Sequence, residues 1–200
     1  RLKIASILIA AFRWVIRTTP EDLLPVIYLS TNKLAPAHEG LELGVGEATI
    51  IKALAQATGK SAAEIKKLVE KSGDLGDVAS KSRSTQRTLV PPKPITIRSL
   101  FKDMKAIATA SGKDATHQRT SRITALLGAS KSMEAKYITR SMQGKLRIHL
   151  AERTVVPALA HAYVLEHTTP KYPGDKVLQE AALLLSSTYS ELPVWEQIVP

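Results

Sequence analysis

The sequence has 200 residues, 28 Lys and Arg against 18 Asp and Glu, and no cysteine. The length fits one domain or two small ones, and an apolar share of 44% can fill a core, which excludes a disordered basic tail. Without cysteine there are no disulfide frameworks, thiolate zinc sites or thiol nucleophiles, which suits a reducing compartment.

The most apolar run, residues 4–16, spans 13 residues and contains Arg13. That is short of the ~20 residues a membrane crossing needs, and no signal-peptide cleavage pattern follows, so no membrane association is expected. The chain opens on Arg1 rather than Met, at the edge of this run, as expected for a piece of a longer protein. Next, Thr19 is an expected N-cap with Pro20 at the first helical position and Glu21 and Asp22 in the first turn. Ile50, Ile51, Leu54 and Ala55 recur at helical spacing up to a stop at Gly59. Ser61 and Glu64 form a capping box before Ile65, Leu68 and Val69, with Gly73 as the stop. A short piece, 75–79, leads into Ser82-Arg83-Ser84-Thr85-Gln86-Arg87, and Pro91, Pro92 and Pro94 make a stiff connector. This connector, near 88–96, is where two helical halves of the chain could join.

After it, Thr96 caps a helix carrying Leu100, Met104, Ile107 and Ala108, with Gly112 as its expected end. Further helices carry Ile123, Leu126 and Leu127, then Tyr137, Ile138 and Met142 up to Gly144. From Lys145 to Leu150 polar and apolar residues alternate strictly, which in an extended chain puts Lys145, Arg147 and His149 on one face. Helical spacing resumes at Val155, Val156, Leu159 and Ala160, with entry expected near Thr154 because Pro157 is poor in a helix interior. A turn at 168–174 precedes a last helix with Leu178, Leu183 and Leu184, and a short segment around Trp195. The expected class is all-α.

The charge is unevenly placed. Residues 81–153 hold 16 Lys and Arg against four acids, a net +12, while the rest of the chain carries a net −2. A polyanion-binding surface is the economical explanation, nucleic acid before an anionic membrane. Arg83, Ser84 and Arg87 suit phosphate contact, as do Gly144, Lys145, Arg147 and His149 between two helices; a solvated charged edge is the plainer alternative. Phe101 and Tyr137 are the only aromatics of the basic stretch and are expected in the core. With so few rings to stack on single-stranded bases, duplex backbone is the better substrate.

No reaction centre can be assembled. Gly59-Lys60-Ser61 has Leu54 where a P-loop needs glycine, and Gly44-Val45-Gly46 has Thr49 where a dinucleotide fingerprint needs its third. The five His residues, His38, His117, His149, His161 and His167, lack metal-ligand spacing.

Segments 20–29, 32–36 and 39–47, together with Lys81-Ser82-Arg83-Ser84-Thr85-Gln86-Arg87 and Gly144-Lys145-Leu146-Arg147-Ile148, resemble in collinear order the N-terminal DNA-binding domain of eukaryotic ATP-dependent DNA ligases, nearest the ligase I branch. The resemblance covers nearly the whole chain as one DNA-binding domain, 1–200. It implies an all-helical module that holds nicked double-stranded DNA through its minor groove, in a nuclear protein of replication and repair, with a mitochondrial form also open. A nucleotidyltransferase domain and an OB-fold domain would follow past Pro200 and complete a clamp, using ATP and Mg2+.

Carried over by position, Gly144, Lys145, Leu146 and Arg147 match the loop that lies against the backbone. His149 stands where the family usually has glycine, and either crowds the groove or adds a contact. A second contact segment, a basic pair at a helix start, matches Gln118 and Arg119, with Thr116 keeping a hydroxyl. Pro157 replaces a small or aliphatic residue, which implies a helix start later than in relatives. The family's AMP-accepting Lys-x-Asp-Gly is missing, because Lys113-Asp114 is followed by Ala115, so the piece is expected not to ligate. Two rival functions stay open: a helical protein-interaction scaffold for an acidic partner, and a helical DNA enzyme such as a glycosylase.

Overall fold

The computed structural model describes residues 2–84, 93–148, 150–168 and 172–199. Every regular element among them is helical, as the all-α reading requires. The chain divides into two compact units, Arg1–Gly40 with Ile148–Pro200, and Leu41–Arg147. The borders fall at 40/41 and 147/148; the connector expected near 88–96 lies largely outside the described residues, which omit 85–92.

The first unit contains α1 (Leu2–Thr18), α2 (Leu23–Thr31), α9 (Glu152–His167), α10 (Asp175–Glu191) and α11 (Trp195–Ile198). Helix α1 buries Leu8, Phe12 and Val15, one helical stripe, and packs on α9. Arg17 of α1 grips Glu166 of α9 at 2.7 and 2.9 Å, and Arg13 adds a third bond at 3.2 Å. Thr19 makes no side-chain cap. Residues Pro20–Asp22 instead form a 3-10 turn, so the expected helix starts one turn late, at Leu23.

The helix entry expected near Thr154 comes two residues earlier. Helix α9 begins at Glu152 and carries Pro157 in its interior. Pro157 has no N–H to offer the Arg153 carbonyl, and the burial of Val155, Val156, Ala158, Leu159, Ala160 and Ala162 offsets that lost bond. In α10, Leu178 is buried, but Leu183 and Leu184 are each 71% exposed. The inward stripe runs instead through Leu178, Ala182, Leu185 and Tyr189, the i, i+4, i+7, i+11 positions. Trp195 is buried against the Tyr189 ring, with centroids 4.2 Å apart.

The second unit contains α3 (Glu47–Thr58), α4 (Ala62–Ser72), α5 (Leu75–Ser84), α6 (Ile97–Thr109), α7 (Ala115–Ala129) and α8 (Ser132–Met142). Its main pairings are α3 with α7 and α5 with α8. The Ser61–Glu64 capping box forms as read, with the Glu64 N–H donating to Ser61 Oγ at 3.2 Å and the Ser61 N–H to Glu64 Oε2 at 2.8 Å. Thr96 also caps as read, using Ser99 as its reciprocal partner. Helix α6 stops at Thr109, three residues short of Gly112.

Phe101 and Tyr137 are not core residues. Tyr137 is 37% exposed and Phe101 half-buried, and each ring carries a cation from the next turn of its own helix: Lys105 at 4.9 Å from Phe101, Arg140 at 6.0 Å from Tyr137. Helices α5 and α8 run antiparallel: Ser80 meets Ser132 at 2.9 Å, Asp77 meets Lys136 at 2.6 Å, and Asp74 meets Arg140 at 3.2 Å. They approach so closely at Gly76 that a Cβ there would lie 2.8 Å from Arg140 Cγ and 2.9 Å from the Lys136 carbonyl.

Candidate nucleic-acid interface

The 144–147 segment follows directly from the end of α8. The Gly144 N–H donates to the Ser141 carbonyl at 3.0 Å, and the Lys145 N–H to the Arg140 carbonyl at 2.9 Å. This pair of bonds closes a helix only when the residue between takes a left-handed conformation, and Gly144 does so at φ +68°. No atom lies within 4 Å of the place where a Gly144 Cβ would be, so the outer face of the turn is open.

Beyond Gly144 the alternation seen in the sequence survives as exposure: Lys145 and Arg147 are exposed, Leu146 and Ile148 half-buried. The chain is not a regular extended strand, however, because Arg147 is itself left-handed at φ +55°. For a residue with a side chain this costs about 1–2 kcal/mol. An ion pair accompanies the conformation: Arg147 Nη1 lies 3.0 Å from Asp74 Oδ2.

Asp74 is the N-cap of α5. Its Oδ1 accepts the Asp77 N–H at 2.8 Å and Arg140 Nε at 3.2 Å. It is buried, at 8% exposure. Burial pushes its carboxyl up, but the Asp77 N–H and the Arg140 and Arg147 guanidinium groups outweigh that and hold it below the usual carboxylate range.

The other candidate residues lie elsewhere in the second unit. Arg83, near the end of α5, donates from Nη2 to the Gly128 carbonyl at 2.7 Å and from Nε to the Ser130 carbonyl at 3.2 Å, so it closes the C-terminus of α7. Ser84 is the last residue of α5. Arg119 does for α6 what Arg83 does for α7, donating from Nε to Ile107 at 3.1 Å and from Nη2 to Ala110 at 2.8 Å. Cations placed on terminal carbonyls complement the negative end of the helix dipole.

Thr116 is exposed in the first turn of α7, on an open groove with Lys52, Lys113, His117 and Ser121. Along α7 the two ends are separated by about 20 Å, so Arg83 stands far from Thr116 and Arg119. Arg87 and His149 lie outside the described residues.

The candidates thus form three groups: the turn after α8, the start of α7, and the joined ends of α5 and α7. Sequence reading missed Asp74, Lys52 and Lys113. Asp74 had a visible signal, since an Asp after the Gly73 stop and three residues before Asp77 has N-cap spacing. Lys113 and Lys145 have no carboxylate within 4.0 Å among the described residues.

The model of the DNA ligase N terminus matches residues 1–160. The chain belongs to this family. It is 45% identical to DNA ligase 1 of Arabidopsis thaliana and 41% identical to DNA ligase 1 of Schizosaccharomyces pombe, each across 100% of this chain and 26% of the relative. The DNA ligase of Pyrobaculum arsenaticum is 36% identical over 74% of this chain and 26% of its own length. The chain therefore spans about a quarter of the length of these DNA ligases, and the resemblance read from segments between residues 20 and 148 extends to membership of the ligase N-terminal family.

Proposed function

We propose that this chain is the DNA-binding module of an ATP-dependent DNA ligase, holding nicked duplex DNA by its backbone while nicks are sealed in replication and repair. The observation that carries the reading is the 144–147 turn, where an open glycine sits beside two exposed cations in a stretch of net charge +12. Lys145 and Arg147 neutralise phosphates there, and the missing Cβ lets the duplex come close. Lys113, Thr116 and the first N–H groups of α7 offer a second backbone contact. The names of the relatives, all DNA ligases, support the same reading.

The sealing chemistry belongs to a longer protein with nucleotidyltransferase and OB-fold domains, working in the nucleus. ATP and Mg2+ belong to those parts. On this chain Lys113-Asp114-Ala115 departs from the AMP-accepting motif.

Titrating a nicked duplex against the protein at several salt concentrations tests the reading. With ~6 phosphate contacts, log Kd against log salt has a slope of about 5 in magnitude, equal for unrelated sequences. A slope near zero overturns the reading. Binding that random duplex cannot compete away points instead to a scaffold for an acidic partner protein.

A further inference from the structure

We infer that Asp74 is a positioning residue for duplex binding: its buried carboxylate sets the Arg147 guanidinium, and with it the 144–147 turn, in the geometry that receives a backbone phosphate. The inference rests on the proposed DNA-binding role.

Four observations support it, two at the start of α5 and two at Arg147. Asp74 is fixed before it meets Arg147, because it caps α5 and accepts Arg140 Nε at 3.2 Å. Arg140 reaches it only because Gly76 lets α5 and α8 touch, with no room there for a Cβ. The side chain of Arg147 is 53% exposed although Nη1 is 3.0 Å from Asp74 Oδ2, so one edge of the guanidinium is anchored and the rest faces solvent. Arg147 also holds a left-handed backbone that glycine would occupy without strain.

A guanidinium has five N–H donors in a planar fork, so one edge can bond a carboxylate while the other meets a phosphate. Anchored in this way, the side chain surrenders little rotamer freedom when DNA arrives. The opposite role, in which Asp74 competes with phosphate for Arg147, is disfavoured by the arrangement. Asp74 already has Arg140 and the Asp77 N–H to compensate its charge, and it is too buried to follow Arg147 outward.

The test is a double-mutant cycle on nicked-duplex binding with Asp74→Asn, Arg147→Ala and the pair. Asparagine keeps the cap and the shape but loses the charge. Asp74→Asn alone should weaken binding about three- to tenfold, the size of a coupled contact, and the pair should bind no more weakly than Arg147→Ala. If the two losses multiply, Asp74 does not act through Arg147; if Asp74→Asn binds more tightly, it is a competitor. Either result overturns the inference while leaving the DNA-binding reading intact, whereas a wild-type protein that ignores duplex DNA sinks both.

Arg147→Lys gives a check that leaves the buried carboxylate in place. A lysine keeps the charge but cannot span carboxylate and phosphate with one planar fork, so binding should fall most of the way to that of Arg147→Ala. Binding at wild-type strength would show that charge suffices and positioning is unnecessary.

Discussion

Arg119 donates from Nη2 to the carbonyl of Ala110 at 2.8 Å, so the start of α7 is tied to the end of α6 by a side chain that the sequence offers as a DNA contact. A charge-assisted bond of this kind is worth about 1.5–3 kcal/mol where water is partly excluded. Arg119→Ala should therefore lower the melting temperature by roughly 3–8 °C. Its salt slope for duplex binding should change by less than ~0.5, under the ~0.9 of a lost phosphate contact. An unchanged melting curve with a full unit lost from the slope would return Arg119 to the DNA.

Lys113 and Lys145 should behave in the opposite way. Both are exposed and neither meets a carboxylate among the described residues. Replacing either with alanine should leave the melting temperature within ~1 °C and cut the salt slope by about 0.9, with equal loss on all duplex sequences. Binding series on two unrelated duplexes check this, and loss on one sequence alone would indicate base readout.

Two glycines should resist a methyl group for different reasons. At Gly144 there is open space but a left-handed backbone, so Gly144→Ala should cost about 1–2 kcal/mol. At Gly76 the obstacle is packing: the nearest atoms include the Lys136 carbonyl, which cannot swing aside. Gly76→Ala should cost about 1–3 kcal/mol and separate Asp74 from Arg140. Denaturant unfolding of both variants checks the pair, and a neutral Gly76→Ala would contradict the close α5–α8 approach.

Acid should loosen the fold at identifiable places. Burial pushes the Glu152 carboxyl up, and the bonds from Lys33 at 2.5 Å and Tyr189 at 2.6 Å more than reverse it. For Glu166 the bond from Arg17 is the largest influence, and the carboxyl is again lowered. With Asp74 lowered as well, all three bind protons more readily in the unfolded chain, whose carboxylates titrate near ~4. Their stabilisation is complete above about pH 5 and is lost as the pH falls through ~4 to the folded values. Melting temperatures should be level from about pH 5.5 to 8 and fall below, less steeply in Glu152→Gln. A wild-type curve flat to pH 3 would rule these pairs out as contributors.

The parts of this molecule legible in its sequence are the ones set by neighbouring residues. The Ser61–Glu64 box, the Thr96 cap and the glycine stop at Gly73 depend on atoms three or four positions apart, and all three formed as read. What failed depended on distant partners. Thr19 signals a cap, yet Pro20–Asp22 folds as a 3-10 turn and no side-chain cap forms. Pro157 argues against a helix interior, but six buried residues of the same helix keep α9 continuous around it.

The candidate site divides in the same way. Gly144 is legible as the turn that closes α8, because a glycine after a helical run takes the left-handed conformation of a helix stop. Arg83 and Arg119 look identical to Arg147 by residue type, and only the fold shows that they cap helices whose ends lie 45 and 9–12 positions away.

The first unit is assembled from the two ends of the sequence, with residues 41–147 in between. On a ribosome, α1 emerges long before α9, the helix it packs against. At 5–20 residues per second, roughly 7–27 s pass before α9 follows. During that interval Leu8, Phe12 and Val15 lack α9, the main surface that α1 packs on, while residues 41–147 emerge as one continuous unit. Nascent chains halted before residue 152 should therefore lose α1 to protease while keeping the middle intact.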